Sequence, residues 1–191
     1  MLCIILQGLP GSGKSTFIEE YTKTGLIQQV EVCSADDYHM IEGKYWWKRE
    51  NAGAAHAACF EKFELVTRKH LASTTPHYSE YGGFVDPADA VFVDNTNINL
   101  WAMYSYIALA NLRDYAIEVH TFDCSVETSL ERNVHNVPFD TIYGMERDME
   151  PPPSFWPCKH FYHWEDGKVV ENKGGFHTEV VKVGNNWIER K

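Results

Sequence analysis

Nowhere in the 191-residue sequence is there a run of about 20 apolar residues, the length needed to cross a bilayer. The apolar stretch Met1–Pro10 is short and has no basic flank, so it does not read as a signal peptide. These absences predict a cytoplasmic protein with no membrane partner. Disulfide-framework spacing is missing too: Cys3, Cys33, Cys59, Cys124 and Cys158 form no CxxC pair. Two of them sit in strand-like apolar runs, where a reduced thiol behaves as a small hydrophobe. Cys158, His160 and His163 lie close together, but no second ligand cluster completes a zinc site, so a packed aromatic segment is expected there. Basic residues are scarce as well, with 17 Lys and Arg against 27 Asp and Glu and a formal charge of −10. That balance excludes broad adhesion to nucleic acid, which depends on many cations neutralising phosphates. It leaves room for a polyanion held locally by a few basic groups. No internal repeat is present.

What the sequence does contain is an alternation of short apolar runs and longer polar–apolar segments. Leu2–Gln7 is apolar and ends in glycine, the pattern of a strand buried on both faces. A helix is expected over 15–24, a strand over 30–33, a long helix over 51–71, a strand over 90–93, a helix over 100–112, a strand over 116–122 and a helix over 126–134. The stretch 74–89, with Pro76, Gly82, Gly83 and Pro87, reads as an exposed connection. This order predicts an α/β fold, a parallel sheet flanked by helices with right-handed crossovers. A last helix runs through Met149, and Pro151-Pro152-Pro153 stops it. Residues 1–150 are thus expected to form the main α/β domain. Residues 151–191 would form a small, aromatic, β-rich C-terminal extension, with short strands near 168–171, 179–183 and 187–188.

Gly8-Leu9-Pro10-Gly11-Ser12-Gly13-Lys14-Ser15 carries the strongest chemical signal. Glycines at these spacings let backbone N–H groups wrap phosphate oxygens at a helix N-terminus, with Lys14 reaching the β- and γ-phosphates and the Ser15 hydroxyl meeting Mg²⁺. ATP and Mg²⁺ are the expected cofactors, contacted over Gly8, Pro10, Gly11, Ser12, Gly13, Lys14, Ser15 and Thr16. Two further strands end in carboxylates, at Asp36-Asp37 and at Asp94. Each could cap the helix that follows. A hydroxyl kinase instead needs a carboxylate facing the γ-phosphate to take the acceptor's proton, and a strand tip beside the P-loop is where it would stand. Asp36 is the candidate base. Asp94 is a candidate Mg²⁺ ligand with Ser15, or a group that orients the acceptor. Arg132 is either a solvated surface residue or the mobile cation that phosphoryl transfer requires over the donor phosphates. Tyr45-Trp46-Trp47-Lys48-Arg49 joins aromatics to cations, as in surfaces that stack a base and hold a phosphate, although such aromatics also simply pack. Asp37, His39, Tyr45 and Asn95 are the expected acceptor contacts.

Taken in order, Gly-Leu-Pro-Gly-Ser-Gly-Lys-Ser-Thr at 8–16, Ser-Ala-Asp-Asp-Tyr at 34–38, Ala-Ala-His at 54–56, Val-Asp-Asn-Thr-Asn at 93–97 and Glu-Arg-Asn with Val-Pro at 131–138 form a recognisable set. Over residues 2–150 the chain resembles the P-loop kinase domain of bacteriophage-type polynucleotide kinases and related ATPase-like kinases. The resemblance implies that Lys14 and Ser15 bind the ATP phosphates and Mg²⁺, that Asp36 is the general base toward a 5′-hydroxyl, and that Arg132 is the lid arginine. It also implies a nucleic acid 5′ end as the substrate. The sequence departs from the family at His39, where an arginine holds the acceptor phosphate, and at Asn136, near the place of a second lid arginine. Two other readings remain: a kinase for a small-molecule or modified-base hydroxymethyl group, and an ATP-binding module without catalysis.

Overall fold

The computed structural model describes residues 1–24, 29–73, 90–174, 180–183 and 186–189. The connection expected over 74–89 lies outside the described residues. Strand β1 (Leu2–Gly8) forms the centre of the molecule, with Cys3, Ile4, Ile5 and Leu6 all fully buried. Its unbroken apolar run suits a strand covered by helices on both faces. Cys3 and Ile5 point into one cluster with Phe63, Val91, Val93, Met103 and Tyr106, while Ile4 and Leu6 point into another with Ile18 and Phe92.

Around β1 the sheet is laid out in the order β2-β5-β1-β6-β7-β8. Here β2 is Val30–Cys33, β5 is Ala90–Asp94, β6 is Ala116–Asp123, β7 is His160–Glu165 and β8 is Lys168–Gly174. All neighbours are parallel except the β7–β8 pair. Helices α1 (Lys14–Lys23), α3 (Ala52–Ser73), α4 (Leu100–Leu112), α5 (Val126–Glu131) and α6 (Phe139–Arg147) surround it. This is the parallel, helix-flanked architecture expected from the alternation of elements, of the P-loop kinase type that the resemblance implies.

Several details differ from the expectation. Helix α5 stops at Glu131, leaving Arg132 as its C-cap residue instead of an interior position. Ser125 caps the other end by accepting the Thr128 amide at 3.1 Å. Between β2 and α3 lie a four-residue helix, α2 (Asp36–His39), and a hairpin of β3 (Met40–Ile41) and β4 (Lys44–Tyr45). Glu42 and Gly43 both have positive φ, 50° and 76°, which is the geometry of a type I′ hairpin turn.

Strand β7 was not foreseen, because its His-Phe-Tyr-His-Trp-Glu sequence lacks an apolar period of two. It joins the sheet through aromatic contacts: Trp164 stacks on Phe122 at 5.4 Å, and its indole N–H donates to His120 Nδ1 at 3.1 Å. Residues 160–174 therefore continue the main sheet. A separate antiparallel pair, β9 (Val180–Val183) and β10 (Asn186–Glu189), follows.

Candidate active site

The P-loop leaves β1 through Gly8, whose φ of 150° and crowding fix its identity. A Cβ there would lie 2.6 Å from the Phe122 carbonyl and 2.7 Å from Ser12 Oγ. Gly11 and Gly13 have φ of 72° and 105°, a left-handed backbone that glycine adopts without strain. The loop then enters α1, whose first-turn amides have no partner within the helix. Ser12 Oγ is buried and accepts no hydrogen bond among the described residues. The loop is thus a cradle of open donors, the arrangement that binds phosphate.

Lys14 is 7% exposed, and its ammonium donates to the carbonyls of Gly8 at 2.9 Å and Leu9 at 2.8 Å. Burial draws its pKa below the ordinary lysine value, against the opposing pull of Asp94, Cys124 and Asp36. The first-turn hydroxyl of Ser15 donates to Asp94 Oδ2 at 3.1 Å, which joins the P-loop helix to the tip of β5. Burial also raises the Asp94 pKa, while Lys14 and the Ser15 hydrogen bond lower it. A hydroxyl and a carboxylate in contact beside a buried ammonium match the oxygen donors that Mg²⁺ prefers. Open amides, an orphaned hydroxyl and this Ser15–Asp94 pair together fit a nucleotide phosphate chain with its metal.

Asn95, Thr96 and Asn97 turn out to be struts. Asn95 Oδ1 accepts the Ala35 amide at 2.9 Å and its Nδ2 points to Cys59 Sγ, so the residue ties the tips of β5 and β2 together. The Thr96 carbonyl accepts the Gly8 amide, and Asn97 Nδ2 donates to the Leu6 carbonyl at 2.7 Å. Asn95, expected to contact the acceptor, is instead buried in the scaffold.

Asp36 begins α2 just past the tip of β2, close enough for its charge to act on both Lys14 and Asp94. Its Oδ1 accepts the Tyr45 hydroxyl at 2.7 Å, and its Oδ2 lies 3.9 Å from His135 Nε2. The Tyr45 and His135 rings sit 4.1 Å apart. Burial and the Asp36 hydrogen bond hold the Tyr45 hydroxyl well above the usual phenol pKa, so it stays a donor. His56 of α3, on the exposed side of that helix, feels the charges of Asp36 and His39, and partial desolvation lowers its pKa. The sequence did not single out His135: it meets Asp36 from 99 positions further along the chain, and nothing local signals that contact.

Two other expected acceptor residues are turned to different uses. His39 is 3% exposed, packed edge-on against the rings of Tyr38 and Tyr45, so its imidazole supports the hairpin and does not meet solvent. Asp37 accepts Lys62 Nζ of α3 at 2.7 Å, an exposed ion pair that secures α2. Trp46 and Trp47, by contrast, are 58% and 48% exposed, directly after Tyr45 in the chain. Arg132 lies against the loop, its Cβ 2.9 Å from where a Gly11 Cβ would stand, while Ser129 of the same helix donates to the Pro10 carbonyl at 2.6 Å. Thr16 is exposed in the first turn of α1. A cleft of about 510 Å³ opens beyond Leu9, between Cys124, Thr128 and Met149.

Cys158, His160 and His163 do not converge. Cys158 is in the core, and His160 and His163 are three residues apart on β7, which puts them on opposite faces of the strand.

Fold and site together define a nucleotide-binding P-loop protein with a kinase-like α/β architecture. A family model described as an AAA domain (AAA_33) matches residues 3–138, and the chain belongs to that family. Human NEDD4-binding protein 2 is 26% identical over 152 residues, covering 76% of this chain; the chain spans only 7% of that protein's length. A structure from the PezAT chromosomal toxin–antitoxin system of Streptococcus pneumoniae covers 90% of this chain and 71% of its own at 14% identity, with a TM-score of 0.57. One from the Pnkp1/Rnl/Hen1 RNA repair complex covers 77% of this chain and 43% of its own at 17% identity, with a TM-score of 0.51. Identities this low speak to fold alone. No helix of the described residues is long and apolar enough to cross a membrane.

Proposed function

We propose that this chain is a Mg·ATP-dependent kinase that transfers the γ-phosphate to a hydroxyl, with the 5′-hydroxyl of a polynucleotide as acceptor. The observation that carries the reading is Asp36: a carboxylate at a strand tip, within electrostatic reach of Lys14 and Asp94, held by Tyr45 through one oxygen. Its Oδ2 is the oxygen left to take a proton. The acceptor oxygen attacks the γ-phosphorus, its proton passes to Asp36, and the bond to ADP breaks. Lys14 releases its two loop carbonyls to meet the phosphates, the α1 amides hold the phosphate oxygens, and Arg132 closes from the end of α5. When bound, Mg²⁺ held by Ser15 and Asp94 would neutralise charge on the β- and γ-oxygens. Catalysis of this kind is positioning and electrostatic stabilisation.

Exposed Trp46 and Trp47, which follow the Tyr45 that bonds Asp36, favour a nucleic acid acceptor, because base–aromatic stacking serves any sequence. A chain of net charge −10 would thereby hold a strand end without broad electrostatic attraction. The RNA repair complex among its structural relatives is in keeping with that choice. The test is incubation with γ-labelled ATP and 5′-hydroxyl RNA and DNA oligonucleotides. Label at the 5′ end supports the proposal, and ATP binding with no transfer to any oligonucleotide rejects it. One observation favours a second acceptor class: His39, at the position where related kinases place an arginine for the acceptor phosphate, is buried. Label on a free nucleoside or a hydroxymethylated base would select that reading.

A further inference from the structure

On the far side of the sheet from Asp36, the last two parallel strands bring together a second set of chemically capable side chains. Asp123 ends β6, and His163 and Glu165 lie two residues apart on the same face of β7. In the sheet register Asp123 stands directly opposite Glu165, and His163 opposite Thr121. His163 Nε2 is 3.0 Å from Asp123 Oδ2 and 3.6 Å from Glu165 Oε1. One donor atom from each of the three residues falls within 4.8 Å of the other two.

Two like charges directly opposite each other on adjacent strands destabilise a sheet unless something offsets them. Among the described residues, no Lys or Arg forms an ion pair with either carboxylate, and His163 is the one side chain recorded against both. A single imidazole cannot neutralise two carboxylates, and the chain as a whole is already negative. The cluster is also open. It sits at the carboxyl ends of parallel strands, where α/β sheets bind ligands. Clefts of about 510 Å³ and about 320 Å³ reach it, sharing Asp123 in their walls. A bound ion could therefore keep water in its remaining coordination positions.

We propose that Asp123, His163 and Glu165 form a divalent transition-metal site, separate from the Ser15–Asp94 pair. The donor set selects the metal. Imidazole with carboxylates suits Zn²⁺, Co²⁺ or Mn²⁺, whereas Mg²⁺ prefers oxygen ligands throughout. The ion cancels the opposed carboxylates, takes neutral His163 as its third ligand, and fastens β7 to β6 across the junction where residues beyond the matched family region enter the sheet. Metal binding then adds to the stability of that edge by mass action.

The test is calorimetric titration of the nucleotide-free full chain with Zn²⁺, and separately with Co²⁺ followed by absorption. It compares the wild type with Asp123→Asn, His163→Ala, Glu165→Gln and, as a control for the P-loop, Asp94→Asn. The wild type and Asp94→Asn should bind one equivalent with the same affinity, and millimolar Mg²⁺ should not compete. Each variant of the three-residue cluster should bind at least about 10-fold more weakly, a loss that even an outer-shell partner can cause. Zn²⁺ should raise the thermal midpoint of the wild type and not that of His163→Ala. Co²⁺ should show no strong thiolate charge-transfer band. Because all three side chains are partly or fully exposed, the variants should keep the wild-type circular dichroism spectrum. Equal affinity in the wild type and the cluster variants, no binding at all, or a thiolate band that places the metal on cysteine would each overturn the proposal.

Discussion

On the proposed reading, the donor side and the acceptor side of this site are built from different materials. Around Lys14 nearly everything is backbone: loop amides, the Gly8 and Leu9 carbonyls, and glycines whose φ values only that residue adopts freely. The whole cradle comes from eight consecutive positions docked on a fully buried strand. Around Asp36 the surroundings are side chains from three separate segments: Tyr45 on the hairpin, His56 on α3 and His135 beyond α5. They are exposed or half-buried side chains drawn from distant parts of the chain. Backbone construction fixes phosphate binding almost regardless of neighbouring residues, whereas the acceptor side can be re-specified by changing one aromatic ring. Substitutions on the two sides should therefore fail in different ways.

The largest effect is expected at Lys14. Lys14→Ala removes the one buried cation of the cradle, and kcat should fall by about 10³-fold or more, in the range seen when a cation is taken from a phosphoryl-transfer site. Weaker ATP binding in isothermal titration should accompany it. Asp36→Asn comes next, with a loss of about 10²–10⁴ in kcat, the usual worth of a positioned base, and with ATP affinity unchanged. If ATP affinity fell along with kcat, the division between donor and acceptor sides would be wrong.

Asp94→Asn should separate function from stability. Burial raises the Asp94 pKa in the folded chain, so the native state holds that proton more tightly than the unfolded one. Its contribution therefore favours folding at acidic pH and declines as pH rises from the ordinary carboxylate range through the raised native value. At neutral pH the buried charge is a net cost that asparagine avoids, while the amide oxygen can still accept the Ser15 hydroxyl. The expected outcome is a higher thermal midpoint at pH 7 with kcat down by about 10²-fold or more. A lower midpoint would show that the Lys14–Asp94 attraction outweighs burial.

This contrast also explains what could be read in the sequence. The parallel order of β1, β2, β5 and β6, the P-loop and the acidic strand tips were legible because each depends on a local run: buried apolar stretches, glycine spacing, or a carboxylate just past a strand. His135 was invisible because its role depends on a fold that brings position 135 to position 36. Asn95 and His39 were misread for a related reason. A polar residue at a strand tip looks the same in sequence whether it faces a ligand or, as here, braces the backbone or a neighbouring ring. Strand β7 escaped because half-buried Tyr162 and Trp164 are covered by packing on His120 and Phe122, contacts with no sequence period of their own.

On the acceptor side, Trp46→Ala should raise the oligonucleotide KM about 5- to 100-fold, the equivalent of one lost base stack, and leave the ATP KM alone. The same substitution should do nothing to transfer onto a free nucleoside too small to reach beyond Asp36. Trp46 thus distinguishes the two acceptor classes as well as the two sides of the site.

The smallest effect is expected from Tyr45→Phe. The substitution deletes one hydroxyl and keeps the ring that stacks on His135 at 4.1 Å, so the hairpin and its packing persist. What is lost is a 2.7 Å hydrogen bond to the Asp36 carboxylate. Hydrogen bonds to charged groups contribute about 1.5–3 kcal/mol, and partial exposure of this pair puts it at the lower end. That corresponds to about a 10-fold drop in kcat, with a slightly lower thermal midpoint and ATP affinity unchanged. If Tyr45 only blocked the base, its removal would free Oδ1 and raise the rate, so the sign of the change decides between an oriented carboxylate and a covered one. Tyr45→Ala then isolates the ring: losing the His135 stack as well, it should loosen the segment after Arg132 and lower kcat further than phenylalanine does. Equal rates for the two variants would mean that the lid takes no support from the hairpin, and that the acceptor side is held by the Asp36 contact alone.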